Sequence, residues 1–278
     1  MWPNEKASQP DPTQGTLPDS KDARKDPLPN YSTENTFASS STAFQTRFAS
    51  LSMHMEDRIR LLKFPTPIID LCRRAIKATW ARGIQDEREY GGSHEFKLYG
   101  TPWRGYGEQA IAARRLIKDL LAVLHTQGWV LMLSTDVSKK NYDKDSLLFR
   151  HQTPAPAECD WCCISFSKSD RIRFIDAPSE VYNGFIPRME PGRLQDQGQH
   201  ALGVYELKIY GKPWWAGGIE TMMVRGLLLS LLESLEEEGW TVYASIDQKN
   251  GGEKYTETDT WHCCRPKGWE KGAPVYHN

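Results

Sequence analysis

The phrase Glu95-Phe96-Lys97-Leu98-Tyr99-Gly100-Thr101-Pro102-Trp103 returns later in the chain as Glu206-Leu207-Lys208-Ile209-Tyr210-Gly211-Lys212-Pro213-Trp214. The match continues without a gap through Gly128-Trp129 and Gly239-Trp240 to Asp136 and Asp247. Roughly 16 of about 42 positions are identical across this window, a density that unrelated segments do not reach. Such a repeat constrains the fold strongly, because whatever unit the first copy forms, the second forms again. Upstream, Asp57-Arg58-Ile59-Arg60 recurs as Asp170-Arg171-Ile172-Arg173, and downstream Asp145 to Phe149 corresponds to Asp259 to Cys263. The first unit is therefore read as residues 44–156 and the second as 157–278, with a short link, His151 to Glu158, that favours close packing.

Periodicity supplies the elements of one unit. Phe48 to Met53 and Arg58 to Leu62 alternate as a hairpin, matched by Trp161 to Ser167 and Arg171 to Ile175. After Pro65, Ile69, Cys72, Ile76 and Trp80 recur at helical spacing; the counterpart after Pro178 is expected to be shorter and irregular, since Gly184 and Pro187 interrupt it. Glu108 to Thr126 and Ile219 to Glu237 carry a core-facing apolar stripe, and Gly128 and Gly239 sit where each helix needs a residue tolerant of positive φ. The predicted fold class is α+β: two tandem ββαβαββ units, each a two-layer sandwich of helices on a largely antiparallel sheet.

Residues 1–43 are rich in Pro, Ser, Thr, Asn and Asp and lack an aliphatic pattern, so they are expected to form a disordered tail. With 35 basic against 36 acidic residues the chain has no electrostatic footprint for a polyphosphate, and nucleic acid is not an expected partner. The most apolar stretch, Met222 to Leu235, contains Arg225 and Glu233, so no membrane span is expected. Pro3, Asn4 and Glu5 follow Met1 too closely for a signal peptide, and cytoplasmic or nuclear residence with reduced thiols follows.

Four features are candidates for chemistry or binding. One face of the predicted sheet is polar, carrying Arg58, Arg60, Glu95, Lys97, Tyr99, Ser134 and Asp136, and again Arg171, Arg173, Glu206, Lys208, Tyr210, Ser245 and Asp247. It is either a ligand surface or a lattice of cross-strand charge pairs on which the units pack. The Pro-Trp turns present Trp103, Arg104 and Tyr106 in one copy and Trp214 and Trp215 in the other. Trp103 and Trp214 fit the end of a core as well as a binding surface, whereas Trp215 replaces Arg104 and fills no slot common to both units. Arg114 and Arg225 lie on the apolar stripe of the long helix, where an arginine needs a partner, a buried structural pair being favoured over an anion site. Finally, Cys159, Cys162, Cys163, His262, Cys263 and Cys264 all fall in the second unit. Cys159, Cys162, His262 and Cys263 have the ligand types of a zinc site, and Cys162, His262 and Cys263 those of a thiol enzyme, although neighbours on a strand diverge. No cofactor motif is present. The expectation is a non-enzymatic binding or scaffold protein that holds an unknown protein or small molecule on Lys97, Tyr99, Trp103, Asp136, Lys208, Tyr210, Trp214, Trp215 and Asp247. The alternative is an enzyme with the Cys/His site of the second unit.

Overall fold

The structure, a computed structural model, describes residues 47–104, 107–136, 144–248 and 258–275. The expected tail and Tyr106 lie outside the described residues. The first unit contains β1 (Phe48–His54), β2 (Arg58–Leu62), α1 (Thr66–Thr79), β3 (Ile84–Tyr90), β4 (Ser93–Leu98), α2 (Glu108–Thr126), β5 (Trp129–Thr135) and β6 (Ser146–His151). The second contains β7 (Cys159–Ser167), β8 (Arg171–Ile175), α3 (Ser179–Phe185), β9 (Leu194–Ala201), β10 (Val204–Ile209), α4 (Glu220–Glu237), β11 (Thr241–Ile246) and β12 (Thr260–Pro266). Each unit folds its strands into one six-stranded antiparallel sheet, ordered β3-β4-β2-β1-β6-β5 and β9-β10-β8-β7-β12-β11, which is the same topology twice. The chain is two tandem α+β units.

Each unit holds one strand more than the order ββαβαββ contains, β3 in the first and β9 in the second. Their sequences, IQDEREY and LQDQGQHA, show no apolar alternation. Both lie at a sheet edge and pair on one side only, so they bury little, and their charges blunt an edge that would otherwise recruit another strand. Elsewhere alternation holds: Leu51, Met53, Ile59, Leu61, Phe96 and Leu98 point inward against Leu116, Ile117, Leu120 and Leu124 of α2. Gly128 and Gly239 end the two long helices at φ 79 and 78. A Cβ at Gly128 would also lie 2.6 Å from the Gln152 carbonyl oxygen, so both backbone angle and space demand glycine.

The two units pack through α2. Its inner side covers its own sheet, and its outer side lies on the far face of the second sheet, where Ile111 is buried with Cys163, Ile175 and Val204. Beside that contact, Arg115 donates to both Asp176 oxygens and to the Leu202 carbonyl, and Lys118 Nζ reaches Asp176 at 2.7 Å. Burial tends to raise the Asp176 pKa, but the hydrogen bonds from Arg115 and Lys118 outweigh it and hold the carboxyl below its usual range. The rings of His125, Trp161 and Tyr243 meet edge to face, and the Leu131 amide donates to the Tyr243 hydroxyl at 2.6 Å. Arg114 is buried at this seam, donating to Thr260 Oγ1 at 3.0 Å and to the Ala110 carbonyl, while its counterpart Arg225 is exposed. The second sheet is thus covered on both faces, by α3 and α4 on one and by α2 on the other. Among the described residues the first sheet has helices on one face alone.

Candidate functional site

The polar face of each sheet is organised around one glutamate. Glu95 accepts from Arg60 Nε at 2.7 Å, from Arg88 Nε at 2.8 Å and from Arg58, and is almost fully buried beneath them. Glu206 accepts from Arg171 at 2.6 Å and Arg173 at 2.7 Å, with His200 at 3.7 Å. Burial alone would raise both carboxyls, yet the guanidinium hydrogen bonds prevail and depress them. These groups satisfy one another across the strands. Lys97 and Lys208 are half-buried beside them, and Tyr99 and Tyr210 are exposed at the strand ends. Lys208, with Arg171, His200 and Glu206, lines a polar depression of about 130 Å³. Asp136 and Asp247 follow β5 and β11, at the opposite sheet edge from β4 and β10. Four strand spacings, about 19 Å, separate those strands, so each aspartate stands apart from the lysine of its own unit. Asp247 instead lies at the seam, its amide donating to the Asp145 carboxylate at 3.0 Å.

The tryptophans divide by environment. Trp103 is fully buried and its indole N–H donates to the Arg58 carbonyl; Trp214 is half-buried against Phe166 and donates to the Arg171 carbonyl in the same way. Both close the end of a core. Trp215 is 59% exposed.

The cysteines and His262 do not converge. Cys162 and Cys263 are register partners facing the core under α3 and α4, whereas Cys163 and His262 are register partners facing α2. The sets Cys159, Cys162, His262 and Cys263 for zinc, and Cys162, His262 and Cys263 for catalysis, are therefore split across the sheet, because successive side chains on a strand alternate. Among the described residues no group of three or more His, Cys, Asp and Glu could hold a metal. The contact that does form is His262 Nδ1 to Cys163 Sγ at 3.4 Å, with His262 Nε2 2.6 Å from the Gln248 amide nitrogen and Cys163 Sγ 3.7 Å from the Arg114 carbonyl. One proton arrangement satisfies the chain: the amide donates to Nε2, Nδ1–H to sulfur, and S–H to the carbonyl. It requires a neutral imidazole. Burial, reinforced by Arg114 and Lys118, pushes His262 down to about 3, and burial raises the Cys162 and Cys163 thiols well above their ordinary range. Cys159, the most accessible thiol, is drawn down by a hydrogen bond from Cys264.

Sequence reasoning passed over an opening beside α4. A cavity of about 490 Å³ lies between β10, the turn after it and the N-terminal half of α4, lined by Arg193, Tyr210, Lys212, Met222, Met223 and Leu227 among others. Its signal in the sequence was the run Met222-Met223, apolar residues without an inward register.

One domain-family model matches the chain twice, over residues 47–150 and 160–264. The chain belongs to this family. No curated protein and no solved structure matches it. Among the described residues no helix is long and apolar enough to cross a membrane.

The two family domains differ at the cavity. In the first, α1 is a full helix packed along α2, and the Arg82 guanidinium folds over Gly100, so close that a Cβ there would lie 2.7 Å from it. The Gln109 amide, oriented to satisfy both groups, accepts from the same guanidinium. In the second, the helix after Pro178 stops at Phe185, and a 3₁₀ turn, Ile186–Arg188, follows, as Gly184 and Pro187 led us to expect. Gly192 stands in register with Arg82 and has no side chain to fold over the turn, while Arg193, in register with Gly83, pairs with Glu190 at 2.9 Å and touches Met223 Sδ; nothing would lie within 4 Å of a Cβ at Gly211. The first half of α4 loses its cover: Leu231, Ser234 and Leu235 are its buried residues, all beyond its midpoint.

Proposed function

We propose that the chain is a non-enzymatic binding or scaffold protein whose ligand seat is the α4 cavity of the second domain. The observation that carries this reading is that the two copies share a topology while one fills this place with Arg82 and a long helix and the other leaves it open. A cavity of about 490 Å³ is within the usual range of ligand sites. Its walls of Met222, Met223 and Leu227 suit an apolar body, and methionine adapts to irregular shapes. Lys212 at the rim has no ion pair among the described residues, which favours a ligand with an anionic end, free or on a partner protein. The alternative of a thiol enzyme has less support, since Cys162, Cys163 and Cys263 are buried and the first two are held protonated. Six free thiols accord with a reducing compartment, the cytoplasm or nucleus.

Anilinonaphthalene sulfonate, an apolar body with an anionic end, is a suitable probe. Gly226 lines the cavity with open space around its Cβ, so Gly226→Leu fills it and favours the helix. Dye emission should rise with the wild-type protein and vanish in Gly226→Leu, while Lys212→Ala should weaken binding roughly tenfold, the loss of one charge-assisted bond. Equal dye binding by all three proteins overturns the proposal.

A further inference from the structure

The buried contact between α2 and the second sheet has a counterpart that the chain itself cannot complete. The repeat places α4 where α2 stands and the first sheet where the second stands, so the chain carries one unused helix face, on α4, and one unused sheet face, on the first sheet. Ile111, buried against Ile175, corresponds to Met222, 63% exposed, and Ile175 corresponds to the exposed Leu62. Lys118 corresponds to Leu229, 59% exposed. On the open sheet, Phe48 and Met132, the counterparts of Trp161 and Tyr243, are 56% and 46% exposed, and Leu148 stands where His262 is buried. Both matching faces thus expose apolar side chains at the positions that the intramolecular contact buries.

From this correspondence we infer that the α4 face of one copy docks on the open face of the first sheet of a second copy, repeating between chains the contact that α2 makes within one. The charges support this pairing. Inside the chain, Arg115 and Lys118 bind Asp176; in the unused pair the helix carries Gly226 and Leu229, and the sheet corner carries Lys63 in the same left-handed conformation as Asp176. The cations and their carboxylate have gone together, so docking would strand no carboxylate at that corner, and the exposed Lys63 must keep its ammonium in solvent at the edge of the contact. Where His125 meets Trp161 and Tyr243, the unused pair sets Glu236 against Phe48 and Met132, next to Arg150, the register partner of Phe48. Glu236 and Arg150 are both exposed and opposite in charge. The two faces differ, so the contact is head to tail, and copies add in series to a ring or an open fibre.

Sedimentation velocity on the full chain tests this. Wild type should shift with concentration from 31.8 kDa to multiples of it. Leu229→Asp and Phe48→Asp alter exposed side chains that do not line the cavity, and circular dichroism should report an unchanged fold for both. Each variant alone should stay monomeric. Mixed one to one, they should form a dimer and nothing larger, because one retains the helix face and the other the sheet face. Monomeric wild type at every concentration overturns the inference, as does assembly that survives either substitution, or a mixture that remains monomeric. Met222 and Gly226 border both surfaces, so assembly and dye compete in wild type; the two variants, held monomeric, should bind dye in the cavity whether or not wild-type copies dock, which separates failure of one proposal from failure of the other.

Discussion

Protonation of His262 should make this protein lose stability as the pH falls below 6.5. The imidazole is fully buried, with both nitrogens committed to Cys163 and Gln248, and its pKa falls from 6.5 to about 3. The unfolded chain takes up the proton below pH 6.5 and the folded chain does not, so the stabilisation is fully present above 6.5 and is lost as pH falls towards 3. Each pH unit in that interval costs about 1.4 kcal/mol, which is about 2 kcal/mol by pH 5 and about 5 kcal/mol at the limit. Against a total of roughly 5–15 kcal/mol this is a large share. Urea unfolding at about pH 7.5 and about pH 5, at constant ionic strength, measures it. Glu95, Glu206 and Asp176 have depressed pKa values and act at lower pH, whereas His125 and His151 are also lowered, His125 by burial and His151 by burial and then Arg47, and add slope of the same sign. The decisive quantity is therefore the difference from His262→Gln, which keeps a polar side chain but does not titrate. The variant should lose about 2 kcal/mol less than wild type between the two conditions. Equal losses in both proteins would refute the reasoning.

Further substitutions separate the structural contacts. Asp176→Ala should cost about 2 kcal/mol by leaving Arg115 and Lys118 without their carboxylate, and a double-mutant cycle with Arg115→Ala should show strong coupling; additive effects would contradict the seam as drawn. Trp103→Ala should cost about 3–5 kcal/mol and Trp215→Ala much less, read from denaturant midpoints, because one indole is in the core and the other is 59% exposed. Native-state thiol labelling followed by peptide mapping should modify Cys159 first and leave Cys162, Cys163 and Cys263 untouched until unfolding; early labelling of Cys263 would revive the enzyme alternative. Gly128→Ala should destabilise by more than 1 kcal/mol, through its left-handed backbone and the crowding by the Gln152 carbonyl, as a thermal melt will show.

The amino-acid sequence by itself determined the duplication, the α+β class, the hairpins, the long helices with their glycine stops and the interruption of α3, because each rests on local periodicity or a residue with special backbone freedom. It also determined that neighbouring cysteines diverge, which follows from strand geometry before any partner is known. The edge strands β3 and β9 were beyond it, since a strand paired on one side with no buried face leaves no pattern in its residues. So was the fate of Arg114 and Arg225, identical in place on their helices yet one buried against Thr260 and the other in solvent. The cavity depends on where a short helix leaves α4 uncovered and on whether a side chain reaches over the turn after β10, as Arg82 does after β4, and both are matters of position in space. Tertiary structure alone decided that α2 serves two sheets and α4 one, because a repeat dictates equal units but not which of their faces meet, and two copies joined in series always leave one face of each kind without its match.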